Sequence, residues 1–177
     1  MKTSKEKKNR RLGVIAVVAV FSILGMLFAV QDKGLPRDRD TEFDKGSGIQ
    51  ISALSDVQTD SLYKLCKVWG YTKYYHPSVI AGDVNWDAEL FRIMPKVLKA
   101  KDSSETNEVL SNWLKQFPFE IENDETAKKW EQLQEEYGKQ VLDISWMEDT
   151  AYLGTELSSY LCELSQNITA DREHAYA

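Results

Sequence analysis

The run from Leu62 to Leu98, LYKLCKVWGYTKYYHPSVIAGDVNWDAELFRIMPKVL, carries two helical periods separated by a proline. Leu62, Leu65, Cys66 and Trp69 stand at i, i+3, i+4 and i+7, which puts them on one face of a helix. Asp60 is a suitable N-cap, and Pro77 ends the helix after Tyr75 or His76, because a residue before proline is driven out of the helical region. A second helix is expected to open at Asn85 as cap. Asp87 and Glu89 then lie in its first turn, where the helix dipole favours negative charge, and Leu90, Met94, Val97 and Leu98 form its inner face. Pro95 falls inside that pattern, so a kink or break near Ile93 is expected.

Downstream the same period returns three times. One helix follows Asp102 or Ser103, with Glu105 as capping-box partner of Asp102, apolar positions Val109, Leu110, Trp113, Leu114 and Phe117, and Pro118 as its stop. Another runs from about Asp124 to Tyr137, with Ala127, Trp130, Leu133 and Tyr137 inward and Gly138 as C-terminal stop. The fifth, from about Met147 to Ser165, presents Leu153, Leu157, Tyr160, Leu161 and Leu164. Ile49-Gln50-Ile51 is too short an alternation to establish a strand. The fold class expected is all-α: a domain of about five helices over residues 60–166, each too short to be stable without its neighbours.

Upstream, residues 12–30 (LGVIAVVAVFSILGMLFAV) contain no charge. A helix of that length, at ~1.5 Å per residue, just spans a hydrocarbon core of about 30 Å. Residues 1–11 hold Lys2, Lys5, Lys7, Lys8, Arg10 and Arg11 against Glu6, a local charge of +5 that marks the cytoplasmic side. The helical domain is therefore expected across the membrane, either behind an uncleaved single-pass anchor or secreted after cleavage of a signal peptide. Ala29, with Leu27 two positions before it, makes a poor cleavage site and favours the anchor. Residues 31–59 are polar, with Gly34, Pro36, Gly46 and Gly48, and read as a linker; residues 167–177 read as a C-terminal tail that looks truncated.

The chain has 177 residues and a net charge of −6, so residues 12–177 carry −11 (−6 less +5). A domain this acidic repels phosphate backbones, which argues against nucleic acid as a partner. Cys66 and Cys162 are either two small apolar residues buried on separate helices or, in an exported domain, a disulfide pair. Cys66, on the apolar face of its helix, fits the first reading.

Candidate chemistry is thin. His76, in Lys73-Tyr74-Tyr75-His76-Pro77, is a possible general base or ligand-binding corner, yet a helix end where His and Tyr bond free carbonyls accounts for it better. Cap plus first-turn acid likewise explains Asn85-Trp86-Asp87. Glu131, Glu135 and Glu136 with Lys128 and Lys129 read as a solvated helix face, and the five Trp as core rather than a sugar platform. Asn167-Ile168-Thr169 matches an N-glycosylation sequon, which matters only on a eukaryotic secretory route. With no Gly-x-Ser-x-Gly, phosphate-cradling Gly loop, His-Glu-x-x-His or Cys/His cluster, no catalytic, cofactor-binding or metal-binding residue is assigned, and no cofactor is expected.

Taken whole, the stretch 62–98 resembles the helical N-terminal region of bacterial tail-specific, or carboxyl-terminal processing, serine peptidases. The pieces that carry the resemblance are Lys67-Val68-Trp69-Gly70, Lys73-Tyr74-Tyr75-His76-Pro77, Asn85-Trp86-Asp87 with Glu89-Leu90-Phe91, and Pro95. Asn112-Trp113-Leu114 and Ser145-Trp146 extend it more weakly, so that it covers roughly residues 60–165. The resemblance implies that the parent enzyme's chemistry lies in a later domain, where a Ser nucleophile is activated by a Lys base. No position before Ala177 matches those two residues, so the expected function is that of an accessory, membrane-anchored module, which would meet a peptide or protein substrate only through the missing catalytic domain. The alternative is a complete, non-catalytic binding module that contacts a protein or peptide through the aromatic cluster at Tyr74, Tyr75 and His76.

Overall fold

A computed structural model describes residues 34–120, 143–166 and 173–176. The expected span at 12–30, the helix at 124–137, the charged face at 128–136 and the sequon at 167–169 lie outside these residues. Among the described residues the protein is all-helical, with five α-helices and no strand. The helices are α1 (Asp56–Tyr75), α2 (Pro77–Ile80), α3 (Trp86–Val97), α4 (Ser103–Leu114) and α5 (Thr150–Gln166); 3-10 turns stand at Pro36–Arg39 and Ser145–Met147. Among the described residues, no helix is long and apolar enough to cross a membrane. All the described helices belong to one compact unit that begins at Leu35.

Helix α1 starts earlier than the Asp60 cap implies. Ser55 caps it: the Gln58 amide N–H donates to Ser55 Oγ (3.2 Å), and the Gln58 side chain accepts from the Ser55 amide (3.1 Å). This reciprocal pair satisfies two otherwise free amides. Gln58 Nε2 also donates to the Leu98 carbonyl (2.9 Å), so one side chain fastens the start of α1 to the end of α3.

The buried stripe of α1 is rotated from the expected one. Ser61, Lys64, Leu65, Val68, Tyr71 and Thr72 are buried, whereas Leu62 and Trp69 are half-buried and Cys66 is exposed. The apolar pattern misplaced the face because three of its inward positions are polar. Cys66 is thus not a core residue, and both cysteines are free thiols.

Helix α3 opens at Asn85, whose side chain accepts from the Ala88 amide (3.0 Å), and runs through Pro95 without the expected break. Proline costs only the ladder bond to the Phe91 carbonyl, and its place near the helix end limits the distortion. The Leu98 amide still closes on Met94 O (2.9 Å). Asp102 caps α4, while Glu105 bonds the Lys101 amide rather than that of Asp102, one residue short of the expected box.

α5 packs along α4, and α1 packs against both α3 and α4. Their common core is built on Leu65, Val68, Trp86, Leu110, Leu153 and Leu157, all with no exposed surface. Residues 35–44 lie on this body rather than apart from it. Arg92 of α3 bonds Asp40 (2.7 Å) and Glu42 (2.6 Å), and Phe43 meets Phe91 edge-on at 5.4 Å. The Arg92 bond holds the Asp40 carboxyl below its ordinary range.

Inside α5, Gly154 has φ 71 and ψ 162, a region open essentially to glycine alone. An added Cβ would also stand 3.4 Å from Asn107 Nδ2. Gly154→Ala is therefore expected to lower the unfolding free energy by roughly 1–3 kcal/mol, measurable by urea titration. A cost below the error of that titration would mean that the break in α5 is not fixed by this glycine.

Candidate functional site

Trp69 and Lys73 of α1, Trp86, Asp87 and Glu89 of α3 and Trp113 of α4 come together as one structural network. Trp69 Nε1 donates to Trp86 O (2.9 Å) and Trp86 Nε1 donates to Trp69 O (3.0 Å), a reciprocal pair joining α1 to α3. One helical turn further on, Lys73 reaches Asp87 (2.7 Å). Trp86 stacks on Trp113 of α4 at 4.7 Å, and Trp113 Nε1 donates to Glu89 (2.9 Å). Glu89 in turn holds Arg92 (2.7 Å), the residue that carries the 35–44 strap. Each polar group of Asn85-Trp86-Asp87 and Glu89 thus has a structural partner, as the cap-and-first-turn reading expected.

His76 lies beside that network, stacked 6.4 Å from the Trp86 ring, with no exposed surface. It sits between α1 and α2 in extended conformation, as a residue before proline must. Its amide closes α1 on Thr72 O (2.9 Å) and its carbonyl starts α2 by accepting from Val79 and Ile80 (both 3.0 Å). The imidazole Nε2 is 3.0 Å from Phe117 O and 3.0 Å from the Tyr160 hydroxyl, which itself donates to Phe117 O (2.9 Å). A carbonyl only accepts, so Nε2 carries the proton, and Nδ1 is a buried lone pair without a hydrogen-bond partner. Trp86, Phe117, Phe119 and Tyr160 surround the ring. The imidazole bonds a carbonyl, but it is that of Phe117, beyond α4, and not one of the free carbonyls at the end of α1 that were expected.

Burial holds the His76 pKa below its ordinary 6.5, outweighing the bond to Phe117 that favours the cation. The unfolded chain therefore binds the proton more readily than the native state. Stability is fully present above pH about 6.5 and falls as the pH drops from there toward the depressed native value. Thermal unfolding between pH 7.5 and 5 is expected to show this slope, and His76→Gln to flatten it. An unchanged slope in the variant would assign the pH dependence to other groups.

A second polar centre was not legible in the sequence. Lys64 is only 2 % exposed. Its Nζ donates to Ser103 Oγ (2.8 Å), Asn107 Oδ1 (2.5 Å) and Tyr152 O (2.6 Å), and lies 4.4 Å from the centre of the Tyr152 ring. The break at Gly154 interrupts the helical ladder beside the Tyr152 carbonyl, which takes Lys64 and Asn107 Nδ2 (3.2 Å) as donors. Burial pushes the Lys64 pKa down, while Asp149 and Asp60 act against that shift. A lysine beside a serine is a pairing that base-activated nucleophiles use. Here three acceptors saturate the three N–H bonds of the ammonium ion, leaving no lone pair to take the Ser103 proton. Lys64 pins α1, α4 and α5 together. The available signal was its place at i+3 from Ser61 and i−4 from Val68, in line with the buried stripe.

On the outer side of α1 a hollow of about 420 Å³ is lined by Cys66, Gly70, Tyr71, Tyr74, Tyr75 and Trp146, with Lys67 and Asp143 at its polar edge. Tyr71 and Tyr75 stack at 4.4 Å, and Lys67 Nζ lies 4.4 Å from the Trp146 ring centre. Tyr74 and Tyr75 of the expected aromatic cluster thus line this hollow, whereas His76 faces the core and does not reach it. Among the described residues no group of three or more His, Cys, Asp or Glu is placed to hold a metal ion. Comparison with protein-family models, with curated proteins and with solved structures found no match.

Proposed function

We propose that this chain is the membrane-anchored, accessory helical module of an exported serine peptidase, with residues 12–30 as anchor and residues 1–11 in the cytoplasm. Its part in proteolysis is to hold or present a catalytic domain whose Ser and Lys lie outside residues 1–177. The observation that carries the reading is the way Trp69, Lys73, His76, Asn85, Trp86, Asp87, Glu89 and Trp113 interlock. A string that resembles a family through its structural contacts supports a shared helical module better than a shared active site. The reading predicts that the coding sequence continues past codon 177 into a domain bearing the Ser and Lys; an unrelated gene immediately downstream would overturn it. A fluorophosphonate serine probe should leave the purified chain unlabelled, and labelling of Ser103 would instead make the chain a hydrolase in its own right.

A second reading has one observation in its favour. Tyr74, 42 % exposed, and Trp146 border an aromatic hollow on the surface, as expected of a membrane-tethered module that binds a protein or peptide. Tyr74→Ala would then abolish capture of that partner by the full chain in detergent without lowering its thermal stability. Retained capture by the variant would exclude the hollow as the binding face.

A further inference from the structure

We infer that residues 35–44 and 173–176 form a clamp that fixes where the outgoing end of this module leaves it, with Tyr176 as the positioning residue. Tyr176 lies between two cations: Arg37 Cζ is 4.9 Å and Lys73 Nζ 4.2 Å from its ring centre. Its hydroxyl oxygen accepts from the Trp86 amide (3.2 Å), one of the free amides at the start of α3. The Arg37 guanidinium also donates to the His174 carbonyl, so it meets the 173–176 segment both through a hydrogen bond and over the Tyr176 ring, while Asp38 lies 3.8 Å from its Nε. Lys73 lies over the rings of both Tyr176 and Trp69 (4.7 Å) while it pairs with Asp87, which ties the clamp to the α1–α3 network.

The incoming side of the clamp is seated independently. The Arg37 amide donates to Gly82 O (3.0 Å), Asn85 Nδ2 donates to Asp40 O (3.3 Å), and Leu35 packs so closely on Gly82 that an added Cβ would come within 2.8 Å of Leu35 Cδ1. Residues far apart in sequence thereby meet on one corner of the body, at the start of α3. On the reading given under Proposed function, a catalytic domain following Ala177 would depart from the corner at which the strap from the anchor arrives. The clamp would set its position relative to that strap without using residues of a catalytic site.

The test uses the full chain in detergent, with Cys66 and Cys162 replaced by Ser and nitroxide labels on Thr41→Cys and His174→Cys, both at exposed positions. Pulsed electron-spin distance measurement is expected to give one narrow, short distribution. Arg37→Ala and Tyr176→Ala should each broaden it at least twofold with helicity unchanged, whereas Lys115→Ala, in a remote exposed ion pair, should leave it as it is. Tyr176→Phe, which keeps the ring between the cations, should broaden it less than Tyr176→Ala. A broad distribution in the parent, or widths unaffected by Arg37→Ala and Tyr176→Ala, would overturn the clamp. Either result is independent of what the downstream gene encodes, so the clamp and the peptidase reading fail separately.

Discussion

Trp86→Ala is expected to destabilise the helical body by about 3–5 kcal/mol, the range for truncating a fully buried aromatic residue. The residue has no exposed surface and contacts three parts of the structure at once. Its ring stacks on Trp113 at 4.7 Å and meets Phe117 edge-on at 5.3 Å, while its Nε1 donates to Trp69 O. Truncation leaves a cavity between α1, α3 and α4 and leaves the Trp69 carbonyl without its side-chain donor. A domain of this size has roughly 5–15 kcal/mol in all, so the variant should lie near the threshold of folding. Trp86→Phe keeps an aromatic ring and loses the donor, and should cost about 1–3 kcal/mol. Urea titration followed by far-ultraviolet circular dichroism separates the two. Equal costs would locate the whole effect in the hydrogen bond and not in packing.

Lys64→Ala should be the other large loss, about 2–4 kcal/mol, from a cavity and from acceptors that lose their donor. Asn107 Oδ1 and Ser103 Oγ lose the ammonium, and Tyr152 O keeps only Asn107 Nδ2. The lysine is buried without an ion pair among the described residues, and its desolvation is offset by these oxygens, the Tyr152 ring and the nearby charges of Asp149 and Asp60. Lys64→Met restores most of the volume and removes the buried charge, so it should cost clearly less than Lys64→Ala. A Met variant as unstable as the Ala variant would show that the three hydrogen bonds, not the filled volume, hold α1, α4 and α5 in register. Neither substitution should create or abolish reactivity toward a serine probe if Lys64 is only a pin.

Both residues bear on how far the sequence could be read. Trp86 was legible as a core aromatic just inside a helix cap, because Asn85 and the acids at 87 and 89 mark that helix start locally. Lys64 was not, since a single lysine in an amphipathic helix reads as solvated until its neighbours from α4 and α5 are known. The same limit turned the buried face of α1. Leu62, Cys66 and Trp69 look inward by hydrophobicity, but Ser61, Lys64 and Thr72 take the inner positions, because Thr106 and Tyr152 across the core satisfy Ser61 and Lys64, and Val68 O one turn back satisfies the Thr72 hydroxyl. His76 stands at a helix end as read, but its carbonyl partner is Phe117, 41 residues away, and not the end of its own helix, and nothing local identifies that carbonyl.

By itself the sequence determined the helical class, the caps at Asn85 and Asp102, the proline boundary at Pro77 and the inward faces of α4 and α5. Each of these depends on interactions within a few residues, so local chemistry is sufficient to specify it. The tertiary structure decided the rest: the rotation of α1, the unbroken passage through Pro95, the burial of Lys64 and His76, and the seating of residues 35–44 against α3. These depend on acceptors and rings supplied from dozens of residues away, and no periodicity in one segment encodes what another segment will bring to it.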